Sequence, residues 1–166
     1  MCPRGESLGS ADCHRGMNAA SEMTMPEAKL PKGCSVVPLT IKGDDRGSLV
    51  AIEQYREAPF EIARVYYIFG TGSNVVRGCH AHLRLTQMAV AVAGSCTMAL
   101  DDGTERLSLV LDDPASALLI GPNVWHEMAE FSADCVLMVL ADAPYEESEY
   151  IRDYDAFLAH VGSPRA

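Results

Sequence analysis

The residues best suited to chemistry in this 166-residue chain are His80 and His82, in the run Arg77-Gly78-Cys79-His80-Ala81-His82, with Gln87 and Gly94 following. Side chains two apart in an extended strand share a face, so both imidazoles are expected to point the same way. Cys79, Ala81 and Leu83 then fall on the opposite face as small or apolar residues. Two rings so placed suit proton transfer near neutral pH, since free imidazole has a pKa of about 6.5. They also suit coordination of a divalent ion. Gln87 bears on that choice, because a carboxamide is uncharged and a poorer ligand for a hard dication than a carboxylate. Alternation turns Cys79 away from the histidines, so its thiol is read as structural.

A pair of rings needs a frame. From about Cys34 the chain is a series of short runs rich in β-branched and aromatic residues, separated by turn residues. Runs are expected at 36–41, 48–54, 64–69, 88–93, 96–100, 104–111, 117–120, 124–131 and 136–141, with the histidine strand between the third and fourth. Gly43-Asp44-Asp45-Arg46-Gly47, Asp101-Asp102-Gly103 and Asp112-Asp113-Pro114 supply turns. Roughly ten strands with turns every 6 to 12 residues point to an all-β jelly roll rather than a parallel α/β fold. From Tyr145 the period changes. Tyr150, Ile151, Tyr154, Phe157 and Leu158 lie on one face of a helix, so a short amphipathic C-terminal helix without a catalytic role is expected.

Composition narrows the partners. A formal charge of -10 and a pI near 4.8 argue against nucleic acid or an anionic membrane, both of which reward a basic surface. An anionic small molecule must therefore meet a local cluster of arginines. The apolar stretch from Met88 to Leu100 is too short to span a bilayer and is broken by Gly94-Ser95. The six cysteines show no Cys-x-x-Cys pair, which reads as reduced thiols in a cytoplasmic protein. Residues 1–33 are rich in Gly, Ser, Ala, Pro and charge and are expected to be a flexible extension, with one folded domain over residues 34–160.

The spacing His80-x-His82-x4-Gln87-x6-Gly94 resembles the first motif of the cupin superfamily, with Gln87 in place of the usual glutamate. Gly121-Pro122-Asn123-Val124-Trp125-His126 resembles the second. Arg46-Gly47-Ser48-Leu49, Pro59-Phe60-Glu61-Ile62, Arg64 to Phe69, Arg77 to His82, Gly121 to Met128 and Tyr150 to Tyr154 together resemble the dTDP-sugar 3,4-ketoisomerases.

That resemblance implies a dimeric, metal-independent cupin jelly-roll barrel with a short C-terminal helix. It implies conversion of dTDP-4-keto-6-deoxy-D-glucose into its 3-keto isomer, on the way to 3-amino-3,6-dideoxy sugars, without a cofactor. Such a reaction removes the C3 proton, passes through an enediol and returns a proton to C4. His82 is the expected shuttle between the carbons, and His80 the group that orients the sugar or stabilises oxyanion charge. Arg77, Arg46 and Arg64 suit a diphosphate, because planar guanidinium forks bind phosphate bidentately. Tyr67 is a candidate for stacking on thymine or donating to the sugar, with alternation allowing only one of Tyr66 and Tyr67 to face inward. His126 either completes the pocket or bonds at a strand end while Trp125 packs. The competing readings are a metal-dependent cupin using His80, His82, His126 and Gln87, a nucleotide-sugar epimerase, and a non-catalytic sugar-nucleotide binding module.

Overall fold

The computed structural model describes residues 29–162. Of the extension expected over residues 1–33, residues 1–28 lie outside that range. Residues 29–33 belong to the fold: Pro31 is fully buried, Leu30 packs on the core, and the Gly121 N–H donates to the Gly33 carbonyl at 2.8 Å. The fold thus includes residues ahead of Cys34, held by the burial of Pro31 and Leu30.

Two five-stranded antiparallel sheets face one another. The first runs in the order β1 (Cys34–Pro38), β9 (Ser116–Ile120), β6 (Gln87–Ala93), β11 (Val136–Ala141), β4 (Arg64–Phe69). The second runs β12 (Tyr150–Ile151), β5 (Arg77–His82), β10 (Trp125–Ala129), β7 (Cys96–Asp101), β8 (Arg106–Leu111). A separate hairpin pairs β2 (Ile41–Asp44) with β3 (Gly47–Val50), and α1 (Tyr154–Gly162) follows β12. The all-β jelly roll with a short C-terminal helix is therefore present. No helix among the described residues is long and apolar enough to cross a membrane.

Alternation within the strands sorts side chains into three layers. Between the sheets lie Ala89, Ala91, Leu118, Ile120, Leu137 and Val139 from the first and Met98, Leu100 and Met128 from the second. Outside the first sheet, Ala58 and Phe60 of the loop after β3 pack on Met88, Val90 and Leu140. Outside the second, Phe157 of α1, wholly buried, packs on Ala81 and Trp125. At one end of the middle layer the apolar side chains give way to Tyr66, Gln87, His80, His82 and His126. That end holds the site.

The tail departs from expectation. Residues 147–149 form one 3₁₀ turn, Tyr150 and Ile151 pair with His82 and Ala81 as strand β12, and the helix starts only at Tyr154. Edge pairing to β5 supplies backbone partners that an isolated helical turn would lack, and it overrides the helical spacing of the apolar residues.

Candidate active site

His80 and His82 reach the interior together because β5 is bulged just before them. Gly78 has φ +80° and Cys79 φ 53°, and the pairing to β10 shifts there, with His126 opposite His80 but Glu127 opposite Gly78. Residue 78 must be glycine, since a Cβ would lie 2.8 Å from the His126 carbonyl oxygen and 2.9 Å from Met128 Cε. The extra residue, Cys79, is turned out to solvent. His126 comes in from β10, Gln87 from the start of β6, and Tyr66 from β4.

The hydrogen bonds fix which nitrogens carry protons. His80 Nδ1 faces the Gly78 carbonyl at 3.0 Å, an acceptor only, so Nδ1 donates and Nε2 keeps the lone pair. His82 Nε2 lies 3.2 Å from His80 Nε2 and must donate to it. His82 Nδ1 is buried with no hydrogen-bond partner among the described residues. His126 Nδ1 donates to the Val124 carbonyl at 3.2 Å, and His126 Nε2 accepts from Gln87 Nε2 at 2.9 Å. The Gln87 oxygen accepts from the Tyr66 hydroxyl at 3.1 Å. His82 and His126 are 3% and 2% exposed, while His80 is half-buried.

Burial is the main cause that lowers the basicity of all three imidazoles. His82 falls to about 3, helped by the neighbouring His80 and by Arg64 and Arg152, and His126 also falls to about 3; His80 is lowered too. The cluster is therefore uncharged at neutral pH. Burial likewise raises the Tyr66 phenol to about 12, which keeps it a donor.

Above this floor opens a cleft of about 360 Å³, within the size range of small-molecule sites. Arg64, Tyr66, Arg77, His80, Tyr150 and Arg152 are among its walls. Tyr150 lies against both catalytic candidates, its ring centroid 4.8 Å from His80 and 4.4 Å from His82. Arg152 stacks on Tyr150 with Cζ 4.4 Å from the centroid, and it donates to Glu147 at 2.9 and 3.1 Å. The buried Nε of Arg64 has no partner among the described residues.

The structure thus gathers five of the seven expected site residues, His80, His82, His126, Arg64 and Arg77, around one cleft. It separates the other two. Tyr67 is a correction: it lies on the outer face of β4, 64% exposed and against Phe69, while Tyr66 faces the histidines. Pairing with β11 sets that phase, with Val139 opposite Tyr66 and Met138 opposite Tyr67. Arg46 sits at the β2–β3 turn, exposed and paired with Asp44, away from the cleft of its own chain. Tyr150 and Arg152 were missed, although they stand in one of the segments that carry the family resemblance. The helical spacing of the apolar residues in the tail hides its contact with β5.

The three imidazoles offer ligand atoms within 4.8 Å of one another, so the metal reading has a geometric basis. The donor set does not fit it. His126 Nε2 already accepts from Gln87, and the amide turns an N–H rather than its oxygen toward the cluster.

Two facing antiparallel sheets with a histidine cluster at one end of their interior define a cupin-type jelly roll. A model of the family described as "FdtA: WxcM-like, C-terminal" matches residues 32–162. The chain is 53% identical over 118 residues, 71% of its length and 85% of the relative's, to a TDP-4-oxo-6-deoxy-alpha-D-glucose-3,4-oxoisomerase of Aneurinibacillus thermoaerophilus. The WlaRB TDP-quinovose 3,4-ketoisomerase of Campylobacter jejuni is 46% identical, with a TM-score of 0.75 over 78% of this chain and 99% of that one. A mutant of the 3,4-ketoisomerase QdtA of Thermoanaerobacterium thermosaccharolyticum, solved with TDP-4-keto-6-deoxyglucose, is 36% identical, with a TM-score of 0.78 over 80% and 96% of the two chains. The chain belongs to the FdtA, WxcM-like family, whose named relatives here are sugar-nucleotide 3,4-ketoisomerases.

Proposed function

We propose that this chain is a 3,4-ketoisomerase acting on TDP-4-keto-6-deoxyglucose, with the His80–His82 pair as its proton shuttle. One observation carries the reading: an uncharged imidazole floor and a rim of three guanidinium groups, Arg64, Arg77 and Arg152, share a single cleft. Against those three cations stands Glu147, so a protein of net charge -10 turns a locally positive mouth toward its ligand. The names of its relatives supply the sugar and the nucleotide.

The chemistry follows from the substrate. The C4 carbonyl acidifies the C3 hydrogen; removing that proton while one is delivered to the C4 oxygen gives an enediol with hydroxyls on C3 and C4. Return of a proton to C4 and loss of the C3 hydroxyl proton give the 3-ketone. Oxidation at C3 and reduction at C4 cancel, so the step balances without an added oxidant or reductant. His80 is the member of the pair that lines the cleft, and its only basic nitrogen is Nε2. In this proposal His80 takes and returns the carbon-bound proton at Nε2, giving up for that moment the hydrogen bond it accepts from His82, and His82, buried behind it, orients it. That reverses the division of roles expected from the sequence.

A guanidinium whose Nε is buried without a partner, as in Arg64, costs free energy until an anion arrives, which suits it to a diphosphate oxygen. Arg77 stands beside it on the cleft wall. A homodimer belongs to the same proposal. On the edge strand β4, Val65, Tyr67 and Phe69 are 54%, 64% and 67% exposed, an apolar row that a second copy would cover. A cytoplasmic location accords with free thiols at Cys34, Cys79, Cys96 and Cys135.

Incubation with TDP-4-keto-6-deoxyglucose in deuterium oxide tests the reaction. The expected product is a 3-keto sugar labelled at C4. Unchanged substrate would remove the assignment, and label returned to C3 with inverted configuration would make the chain an epimerase.

A further inference from the structure

The histidine cluster can hold either a proton or a divalent cation, and the deciding group is the amide of Gln87. The facing nitrogens of His80 and His82, 3.2 Å apart, are about as far apart as two nitrogen ligands on one tetrahedral ion with bonds of about 2.1 Å. His126 completes a triad. A carboxylate in the fourth position would make this an ordinary cation site.

Gln87 changes the sign of every contact. Its oxygen is taken by the Tyr66 hydroxyl at 3.1 Å, so its NH₂ end faces His126 Nε2 at 2.9 Å. The other His126 nitrogen faces the Val124 carbonyl at 3.2 Å, which can only accept. The run Tyr66 hydroxyl, Gln87 amide, His126 ring and Val124 carbonyl therefore has one arrangement in which each donor meets an acceptor. Turning the amide over would set its oxygen against the lone pair of His126 Nε2.

We propose that Gln87 is a positioning residue that keeps divalent cations out of this cluster. It does so by engaging the only lone pair of His126, which leaves the His80–His82 pair free to exchange a proton. A glutamate at 87 would still accept from Tyr66 but would place a second acceptor 2.9 Å from His126 Nε2, a repulsion that only a proton or a cation relieves. The proton of the neutral His126 ring already sits on Nδ1 against the Val124 carbonyl, so no change of tautomer relieves it and a cation does. The inference concerns the same cluster as the isomerase reading. It stands on these hydrogen bonds, and the measurements below report on it whether or not the sugar is turned over.

Cobalt(II) is the probe, since its visible absorption reports a tetrahedral nitrogen and oxygen environment. Gln87→Glu is expected to bind one cobalt per chain roughly 10- to 100-fold tighter than the unaltered protein, and His126→Ala added to it should abolish that site. Equal cobalt affinity in the unaltered protein and in folded Gln87→Glu would overturn the inference. Should Gln87→Glu fail to fold, nitrogen-15 spectra of the unaltered protein decide: His126 is expected with Nδ1 protonated and Nε2 bare. The opposite tautomer, or no change in the His126 Nε2 shift in Gln87→Leu, would overturn it equally.

Discussion

The floor and the rim of the cleft are built on opposite physical principles. On the floor, Tyr66, Gln87, His80, His82 and His126 come from four strands, are mostly buried, carry no charge and are hydrogen-bonded into one arrangement. At the rim, Arg77, Arg152 and Glu147 are exposed and charged, and Glu147 and Arg152 are tied to each other by local pairs. Rigid burial suits groups that must meet a reacting carbon at a fixed distance. Exposed guanidinium groups suit an anion that must arrive and leave, since their mutual pairs are worth little in water. If this division is right, damage to the floor appears in turnover and damage to the rim in affinity.

The largest effect expected is on the floor. His80→Asn should lower kcat by about 10³-fold, within the range for loss of a positioned acid–base group, while TDP still binds as to the unaltered protein. His82→Asn should cost less, because His82 acts through His80. Kinetics on both variants, with TDP titrations, check the order. A larger loss at His82 would restore the division of roles read from the sequence and place the shuttle on the buried ring.

How much of this was legible beforehand differs between the two regions. The shared face of His80 and His82 follows from strand alternation alone, and it survives because the Gly78-Cys79 bulge inserts its extra residue before the pair. His126 was visible in the second cupin-like motif. The choice between Tyr66 and Tyr67 was not, because each phase of β4 is locally acceptable and only its register on β11, some 70 residues away in the chain, selects one. Tyr150 and Arg152 were obscured for a related reason. Their segment has helical spacing, yet the Leu83 N–H donates to the Glu149 carbonyl, and Glu149 receives the Arg84 backbone N–H at 3.0 Å and its Nε at 2.8 Å. Those contacts pin the segment to the end of β5 and lay the Tyr150 ring on the histidines. Local pattern read the strands well; contacts between distant segments decided which side chains entered the site.

The second prediction separates floor from rim by pH. The unfolded chain binds protons at its histidines below about pH 6.5, whereas folded His82 and His126 resist protonation until about 3. Unfolded protein therefore takes up more protons in that window. Stability should be level above pH 6.5 and fall as pH drops toward 3, by up to about 1.4 kcal/mol per pH unit for each ring. Glu147 is displaced in the same direction but in a lower window, held down to about 2 chiefly by hydrogen bonds from Arg152 and Tyr145. Its contribution is present above the ordinary carboxylate range and goes only below about pH 4.5. Denaturant titrations from pH 7.5 to 4 should thus show a loss that begins near 6.5 and is reduced in His126→Gln. A flat profile down to pH 4.5 would mean that these rings are not buried neutral, and the contrast between floor and rim would lose its electrostatic basis.

The smallest effect expected is at the rim. Arg152→Ala removes a guanidinium from the mouth of the cleft and the cation stacked on Tyr150. One charge-assisted contact to a phosphate is worth about 1.5–3 kcal/mol when buried and less when exposed, so KM should rise about tenfold, equivalent to about 1.4 kcal/mol. The Tyr150 ring should stay in place, because β12 remains paired with β5 and Glu149 remains bonded to Arg84. For that reason kcat should change little, and the rise in KM should shrink at high salt, where screening already weakens the rim. A collapse of kcat with KM unchanged would show that Arg152 acts on the reacting carbons through Tyr150. In that case floor and rim would be one mechanical unit, joined where the tail crosses the histidine strand.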